Sequence, residues 1–283
     1  MKSSIDNVGI NNDVVLLIVF YNPNRKQIEN AKSLGRMYHV VVVDNSDTIL
    51  SDFKCENNIE YVPLQNNKGI AYAQNVGIKH AFNNKVRFIL FLDQDSSFKE
   101  EDLPLMIAEY TSIKLLDPDI CALGPLIINE TTGREYKSEL SAGDYGIVTS
   151  IISSGMLAEV SVLKEIGGMD EALFIDNVDH EWCWRANSKG KHVYMTRNVR
   201  LYHSVGQNTT RFLGMQIIKS SPTRSYYKFR NNILLLRREY VPFSWKIKSL
   251  LHMLFDYSMY WLRYKDYGKE YIKAANNGIK EAI

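Results

Sequence analysis

The chain has 283 residues, 45% of them hydrophobic and 23% charged, and a net charge of +2. This is the composition of a soluble globular protein with one large domain, or one domain and an appendage, and so small a charge excess gives no reason to expect a nucleic-acid partner. Three scattered cysteines, Cys55, Cys121 and Cys183, exclude a disulfide framework or a metal-type spacing and point to a reducing compartment; no apolar run is long enough to span a bilayer.

Residues 1–12 are polar and read as a frayed end. Val14–Tyr21 has the length of a signal-peptide core. However, Asp6 and Asp13 precede it, and Asn22-Pro23-Asn24 follows in place of a small-residue cleavage site. It therefore reads as a first buried strand, followed by a helix to about Leu34. Val40–Val43 is a second strand, ending at Asp44-Asn45-Ser46, and Ile59–Val62 a short third. Asn66-Asn67-Lys68-Gly69 turns into a helix from Ile70 to Phe82. Phe88–Leu92 is a fourth strand that runs into Asp93-Gln94-Asp95-Ser96-Ser97. Strands alternating with helices predict a mostly parallel sheet flanked by helices.

A helix over Leu103–Leu115 and a strand over Ile120–Pro125 come next. Glu130–Gly146 is polar and turn-rich, a hairpin or mobile loop. Val148–Ile152 precedes Ser153-Ser154-Gly155, and a helix over Val160–Ile166 stops at Gly167-Gly168. Phe174–Arg185 holds a second carboxylate cluster. Val193–Met195 is a strand, and Leu201-Tyr202-His203 follows after a turn. Ser221-Pro222-Thr223 starts a helix that continues to Glu239. Pro242 breaks it, Lys246–Tyr264 is a second amphipathic helix, and the tail is polar. The α/β pattern gives way to helices near Gln207.

In an open α/β sheet, ligands bind past the carboxyl ends of the strands. Asp93 and Asp95 stand there, two residues apart and so on one side of an extended chain. Two hard oxygen donors suit Mg²⁺ or Mn²⁺ and, through the metal, a diphosphate; a solvated strand-end turn fits the same residues. Asp44 could accept the imide N–H of a uracil or thymine ring, or cap the next helix. The helix opened by Asn66–Gly69 has N–H groups that could face phosphate. Lys68 is either a phosphate contact or a solvated turn lysine. The P-loop pattern and the Gly-x-Gly-x-x-Gly fingerprint are both missing. Arg224, Lys228 and Arg230 share a helical face that could meet a diphosphate, acidic lipid headgroups or only solvent.

These motifs, in this order, resemble glycosyltransferase family 2. They are Asp44-Asn-Ser, Asn67-Lys68-Gly69-Ile-Ala-Tyr-Ala-Gln-Asn75, Asp93-Gln94-Asp95, Ser154-Gly155, Gly167-Gly-Met-Asp, Asp179-His-Glu181-Trp-Cys-Trp-Arg185 and Tyr227-Lys-Phe-Arg230-Asn231-Asn232. The Phe-Leu-Asp-Gln-Asp-Ser and Phe-Ile-Asp-x-Val-Asp-x-Glu-Trp-Cys forms are most similar to its bacterial rhamnosyltransferase branch. The resemblance implies the GT-A fold, Rossmann-like and α/β. It implies a catalytic domain over residues 1–206, with a nucleotide-sugar half over about 13–97 and an acceptor half over about 98–206. A helical region over 207–283 follows.

By that resemblance Tyr21 and Asp44 hold the base, Asp93 meets the ribose, and Asp95 binds Mn²⁺ or Mg²⁺. Asn67, Lys68, Gly69, Asn75, Gln94, Ser154 and Gly155 complete the nucleotide-sugar site. His203 is a candidate metal or phosphate contact and Arg230 a candidate phosphate contact. Asp179 matches the catalytic base, with Glu181 beside it, although Asp176 and Glu181 are close enough in sequence to compete. The implied reaction is an inverting, single transfer of L-rhamnose from dTDP-β-L-rhamnose to a polysaccharide or O-antigen acceptor on a lipid carrier. The processive Gln-x-x-Arg-Trp motif is absent. A UDP-hexose donor, or a nucleotide-sugar-binding subunit without catalysis, is the alternative. A haloacid-dehalogenase-like phosphatase would carry its Asp-x-Asp on the first strand, not the fourth. The expected location is the cytoplasm, at the inner face of the plasma membrane. There Lys246–Tyr264 mixes Leu250, Leu251, Leu254, Phe255, Trp261 and Leu262 with Lys246, Lys248 and Arg263. A helix packed on the catalytic domain or in a homodimer contact fits that pattern equally.

Overall fold

Long apolar runs build the centre of the chain. Val14–Phe20 (β1), His39–Asp44 (β2) and Phe88–Asp93 (β4) are buried almost throughout, and with Ile59–Pro63 (β3) they pair in parallel. Such runs form strands covered on both faces. The two faces separate by alternate residues. Val15, Leu17, Val41, Val43, Ile89 and Phe91 enter one core, while Val14, Leu16, Ile18, Val40, Val42, Phe88 and Leu90 enter the other. The first core is closed by helices Ile70–Asn83 (α2), Val160–Ile166 (α4) and Val178–Ser188 (α5), the second by Arg25–Gly35 (α1) and Asp102–Leu116 (α3). This computed structural model describes residues 13–50, 53, 58–96, 98–99, 101–130, 132–136, 140, 143–203, 209–212, 215–218, 221–263 and 268–283. The frayed end over 1–12, Cys55, Ser97, parts of Glu130–Gly146, residues 204–208 with Gln207, and Tyr264 lie outside the described residues, as does the side chain of His203.

The remaining strands are Ile120–Asn129 (β5), Tyr145–Val148 (β6), Leu157–Glu159 (β7) and His192–His203 (β8), and the eight-stranded order is β3-β2-β1-β4-β7-β5-β8-β6. β7 runs antiparallel between β4 and β5, and β6 is antiparallel on β8; the other pairings are parallel. All the parallel carboxyl ends therefore share one edge. The turn expected between Val193–Met195 and Leu201–His203 is instead a bulge within one strand. The register jumps from Pro125↔Thr196 to Leu126↔Arg200. An extra stretch accommodated this way bends a strand without ending it.

Local chemistry sets the helix boundaries. Asn24 and Gln27 form a reciprocal cap at the start of α1, with Gln27 N donating to Asn24 Oδ1 (3.0 Å) and Asn24 N to Gln27 Oε1 (2.7 Å). Gly77 of α2 lies flush on β1, since a Cβ there would stand 2.1 Å from Leu17 Cδ1.

After a separate hairpin, Thr209–Phe212 (β9) and Met215–Ile218 (β10), come three helices: Pro222–Leu236 (α6), Phe243–Arg263 (α7) and Gly268–Ala282 (α8). Ser221 caps α6 by accepting from Arg224 N, and Pro222 occupies its first turn. The tail read as polar is helical. Tyr271, Ala275, Gly278 and Ala282 make a buried stripe, and Tyr271 and Ala275 join Phe229, Met253 and Tyr260 in a third core. Among the described residues no helix is long and apolar enough to cross a membrane.

Candidate active site

The strand ends of β1, β2 and β4 are laced together by side chains. Tyr21 N donates to Gln94 Oε1 (2.8 Å) and Gln94 Nε2 to Tyr21 O (3.4 Å), so the middle residue of the carboxylate motif bridges two strand ends. Tyr21 keeps 48% of its surface exposed. Asp44 is only 1% exposed and already accepts from Ser46 N (3.0 Å) and Tyr61 OH (2.6 Å). Burial, and then the bond to Asp44, raises the Tyr61 hydroxyl far above its ordinary pKa, so it stays a donor.

Asn67 Oδ1 accepts from Asn45 Nδ2 (2.9 Å) and Gly69 N (3.0 Å), and Lys68 N donates to Asn45 Oδ1 (2.8 Å), which fastens the turn before α2 to the end of β2. The Lys68 ammonium lies 4.9 Å from the Tyr72 ring centre. Gly69 has φ +87°, and a Cβ there would meet the Phe174 ring and carbonyl oxygen at 2.6 Å. Phe174 O also accepts from Ala71 N (3.4 Å). One N–H of the helix start that sequence offers to a phosphate is thus met by protein.

The carboxylates at the end of β4 meet a second segment. Asp93 is half-buried and Asp95 exposed. Asp93 N donates to Ser96 Oγ (3.2 Å), and Ser96 Oγ shares a hydrogen bond with Ser154 Oγ (2.5 Å). Gly155, at φ +81°, donates its N–H to Phe91 O (2.8 Å); a Cβ there would stand 2.5 Å from Pro125 Cγ. One residue earlier, Ser153 N donates to Asp179 Oδ2 (3.1 Å), and His180 N donates to Asp179 Oδ1 (2.8 Å). The strip Ser153–Gly155 therefore joins the two carboxylate groups that sequence keeps 80-odd positions apart. Asp179 sits half-buried in the first turn of α5, where the helix dipole favours its charge. Next to it, His180 Nδ1 bonds Ser150 Oγ (2.8 Å) and lines a cavity of about 140 Å³ with Tyr136, Ile151, Ser154 and Met195.

Three expected site residues, and Asp176, have protein partners of their own. Glu181 has a side chain only 1% exposed; it accepts from Arg185 Nε (2.9 Å) and Nη2 (3.0 Å) and Tyr240 OH (2.6 Å), and pairs with the Arg238 guanidinium (3.2 Å). Burial, then the bond to Glu181, pushes the Tyr240 hydroxyl up to about 12. Glu181 thus holds α5 against the segment after α6. Asp176 is taken by Arg224, Nη2 to Oδ1 at 2.8 Å and Nε to Oδ1 at 3.0 Å. Asn75 receives Met169 N (2.7 Å) and donates to Met169 O (2.9 Å) and Glu171 Oε1 (2.8 Å), so it fixes the Gly-Gly-Met-Asp segment. Arg230 donates to Ala172 O and to Asn231 Oδ1 (3.2 Å), pairs with Glu281 (3.4 Å) and lies 5.0 Å from the Tyr227 ring. His203 closes β8 opposite Asn129.

Mn²⁺ or Mg²⁺ fits the end of β4. Asp95 is an exposed hard oxygen donor with Asp93 beside it, and among the described residues no three His, Cys, Asp or Glu converge into a protein cage. Such ions are commonly held by one or two carboxylates plus substrate phosphates. Sequence reasoning missed Tyr61, Ser96 and Ser153, whose roles depend on partners 17 to 58 positions away.

The profile of glycosyl transferase family 2 matches residues 17–151. Over 286 aligned residues the chain is 30% identical to the dTDP-rhamnosyl transferase RfbF of Shigella flexneri, covering 96% of this chain and 97% of that protein. It is 25% identical to the low-salt glycan biosynthesis hexosyltransferase Agl10 of Haloferax volcanii, over 78% of this chain and 75% of the relative. Among solved structures, S. aureus TarS superposes with a TM-score of 0.60 at 17% identity, over 96% of this chain and 49% of that one. GalNAc-T7, solved with UDP, GalNAc and Mn²⁺, superposes with a TM-score of 0.54 at 16% identity, over 94% and 54%. The chain spans about half the length of these two structures, which share its GT-A fold.

Proposed function

The chain belongs to glycosyltransferase family 2, and on that premise we propose that it transfers L-rhamnose from dTDP-β-L-rhamnose, with inversion, to a hydroxyl of a lipid-linked saccharide. As a family member it is a glycosyltransferase, which uses a nucleotide-sugar donor and a saccharide acceptor. The rhamnosyl donor is supported by the near full-length similarity to the Shigella flexneri protein.

The mechanism rests on one observation, the Ser153–Gly155 strip that ties the end of β4 to Asp179. Asp179 takes the proton of the acceptor hydroxyl as its oxygen bonds to the anomeric carbon. The bond from that carbon to the diphosphate breaks at the same time, and dTDP leaves with the electron pair. Two backbone N–H groups hold the Asp179 carboxylate, and each of its oxygens keeps a lone pair for the incoming proton. Tyr21 and the Asp44–Ser46 strand end line the base pocket, and Asp44 retains a lone pair for an imide N–H. Asp95 would hold the divalent cation that GT-A enzymes typically use, which would neutralise charge on the departing diphosphate, while Asp93 meets the ribose. Residues 1–206 carry both carboxylate groups, and tail residues such as Asn231 and Tyr240 hold the segment around the second.

The same reading puts the enzyme on a membrane surface in the cytoplasm. Phe243, Ile247, Leu250, Leu251, Leu254 (66% exposed), Trp261 (72% exposed) and Leu262 line the outer side of α7, while Met253 and Tyr260 face the tail core. An exposed apolar row interleaved with Lys246 and Lys248 suits an anionic headgroup layer.

A thermal-shift panel with Mn²⁺ tests the donor. A bound ligand raises the melting temperature by mass action. dTDP-rhamnose should rank above UDP-glucose and UDP-GlcNAc, and should be the donor that is turned over. Turnover of a UDP-hexose with none of dTDP-rhamnose would refute the rhamnosyl assignment and leave the enzyme class standing.

A further inference from the structure

The loop before Asp179 is held in a conformation that its own residues disfavour. Phe174 (φ +63°), Asp176 (φ +66°) and Asn177 (φ +63°) are non-glycine residues in the left-handed half of backbone space, three within four positions. Ile175 N donates to Leu173 O (2.6 Å), which closes a γ-turn on Phe174 with ψ −63°. A run of such residues is strained and persists only where the surroundings over-determine it. Asn177 also opens α5 with no side-chain cap of its own. Nothing within the loop explains why it stays in place.

The restraint comes from α6, some 55 residues further on. Asn231 is fully buried, and its single Nδ2 donates to three loop carbonyls: Leu173 O (2.8 Å), Ile175 O (2.6 Å) and Asp176 O (3.1 Å). Its Oδ1 accepts from Arg230, which fixes the amide's orientation. Asn232 Oδ1 accepts from Asn177 Nδ2 (3.3 Å), and Tyr227 stacks on Phe174 with ring centres 4.5 Å apart and planes 5° from parallel. Phe174 also packs its ring and carbonyl close against Gly69, and its carbonyl accepts from Ala71 N (3.4 Å) at the start of α2. The loop is thus gripped between the tail helix and the nucleotide-side turn, and Asp179 follows two residues after it.

From this we infer that Asn231 is a positioning residue. By holding the carbonyls of the strained Leu173–Asp176 turn, it sets where α5 begins and therefore where the Asp179 carboxylate points. The inference rests on the reading of Asp179 as the base. A catalytic group displaced by about 1 Å loses on the order of 10²-fold in rate. Substrate affinity, set at the ends of β1, β2 and β4, should not follow.

The test is a double-mutant cycle on the full chain with Mn²⁺. It follows dTDP release from dTDP-β-L-rhamnose with water as acceptor, and UDP release from UDP-glucose in parallel. Asn231→Ala should lower kcat by about 10²-fold and leave the donor KM within about twofold. In an Asp179→Asn background the same change should cost no more than about twofold in kcat, because groups that act as a unit are not additive. The loss of thermal stability should be the same in both backgrounds. An equal kcat loss in both backgrounds, or a loss confined to KM, overturns the positioning role. Should Asn231→Ala not fold, Tyr227→Leu removes the stacking on Phe174 without burying an unpaired polar group, and the same pattern is expected. Full activity of Asp179→Asn alone, or no release from either donor by the unsubstituted chain, overturns the reading beneath as well as this inference.

Discussion

Replacing Glu181 by alanine separates a structural carboxylate from a catalytic one. The wild-type side chain, 1% exposed, accepts three hydrogen bonds from Arg185 and Tyr240 and forms an ion pair with Arg238. Removing it leaves a guanidinium pair and a hydroxyl without their shared acceptor, and breaking a buried ion pair from one side costs about 3–5 kcal/mol. Unfolding entropy near 60 °C is about 2.1 cal/mol/K per residue. For 283 residues that gives roughly 0.6 kcal/mol/K, so the melting temperature should fall by about 5–8 °C. Glu181→Gln keeps the shape and part of the bonding and should fall by less. Differential scanning calorimetry gives the shift, and single-turnover kinetics below both melting points give the rate. A Glu181→Ala protein that melts like the wild type but has lost transfer would refute the reasoning, because it would make Glu181 the proton acceptor.

Three further outcomes follow from the geometry. Asp95→Ala should abolish transfer and metal-dependent donor binding with little loss of stability, and EDTA should silence the wild type; retained turnover in either experiment contradicts the metal assignment. Gly278→Ala places a Cβ 2.3 Å from the Tyr226 carbonyl oxygen, a backbone atom that cannot swing away. Overpacking of about 1–3 kcal/mol against a helix-propensity gain of about 1 kcal/mol should loosen α8 from α6, read as faster amide exchange in α8; unchanged exchange would mean the two helices are not in contact. Burial first, and then carboxylate partners, push the Tyr194 and Tyr240 hydroxyls up from 10.0 to about 12. A group whose pKa is raised by folding stabilises below its unfolded value, so stability should hold up to about pH 10 and fall as the pH rises through 12; a flat melting temperature across that window contradicts it.

Much of this fold was legible because the apolar runs of β1, β2 and β4 are too long and too continuous for an exposed sheet, and because Asn24, Gly69 and Ser221 mark helix starts by their own chemistry. β7 was not legible, since three residues carry no periodicity. α8 was hidden because its buried stripe uses Ala275, Gly278 and Ala282, which look neutral among lysines and asparagines. The strand-end carboxylates stand out as Asp-x-Asp after an apolar run. The fate of Glu181 does not, because Tyr240, which claims it, lies 59 positions away and Arg238 close by. Arg230 and Asn231 were visible as a motif, but their targets are backbone carbonyls, and a carbonyl leaves no trace in residue identity.

The central claim is that Asp179 removes the acceptor proton in an inverting displacement. Asp179→Asn keeps the side chain's size and one acceptor oxygen, so it can accept from only one of Ser153 N and His180 N, and it cannot take a proton. Isothermal titration should find donor affinity unchanged, while transfer falls by about 10²–10⁴-fold. The wild-type product from dTDP-β-L-rhamnose should be the α-L-rhamnoside by NMR. A near-normal rate in Asp179→Asn, or a β-L product from the wild type, would contradict the account.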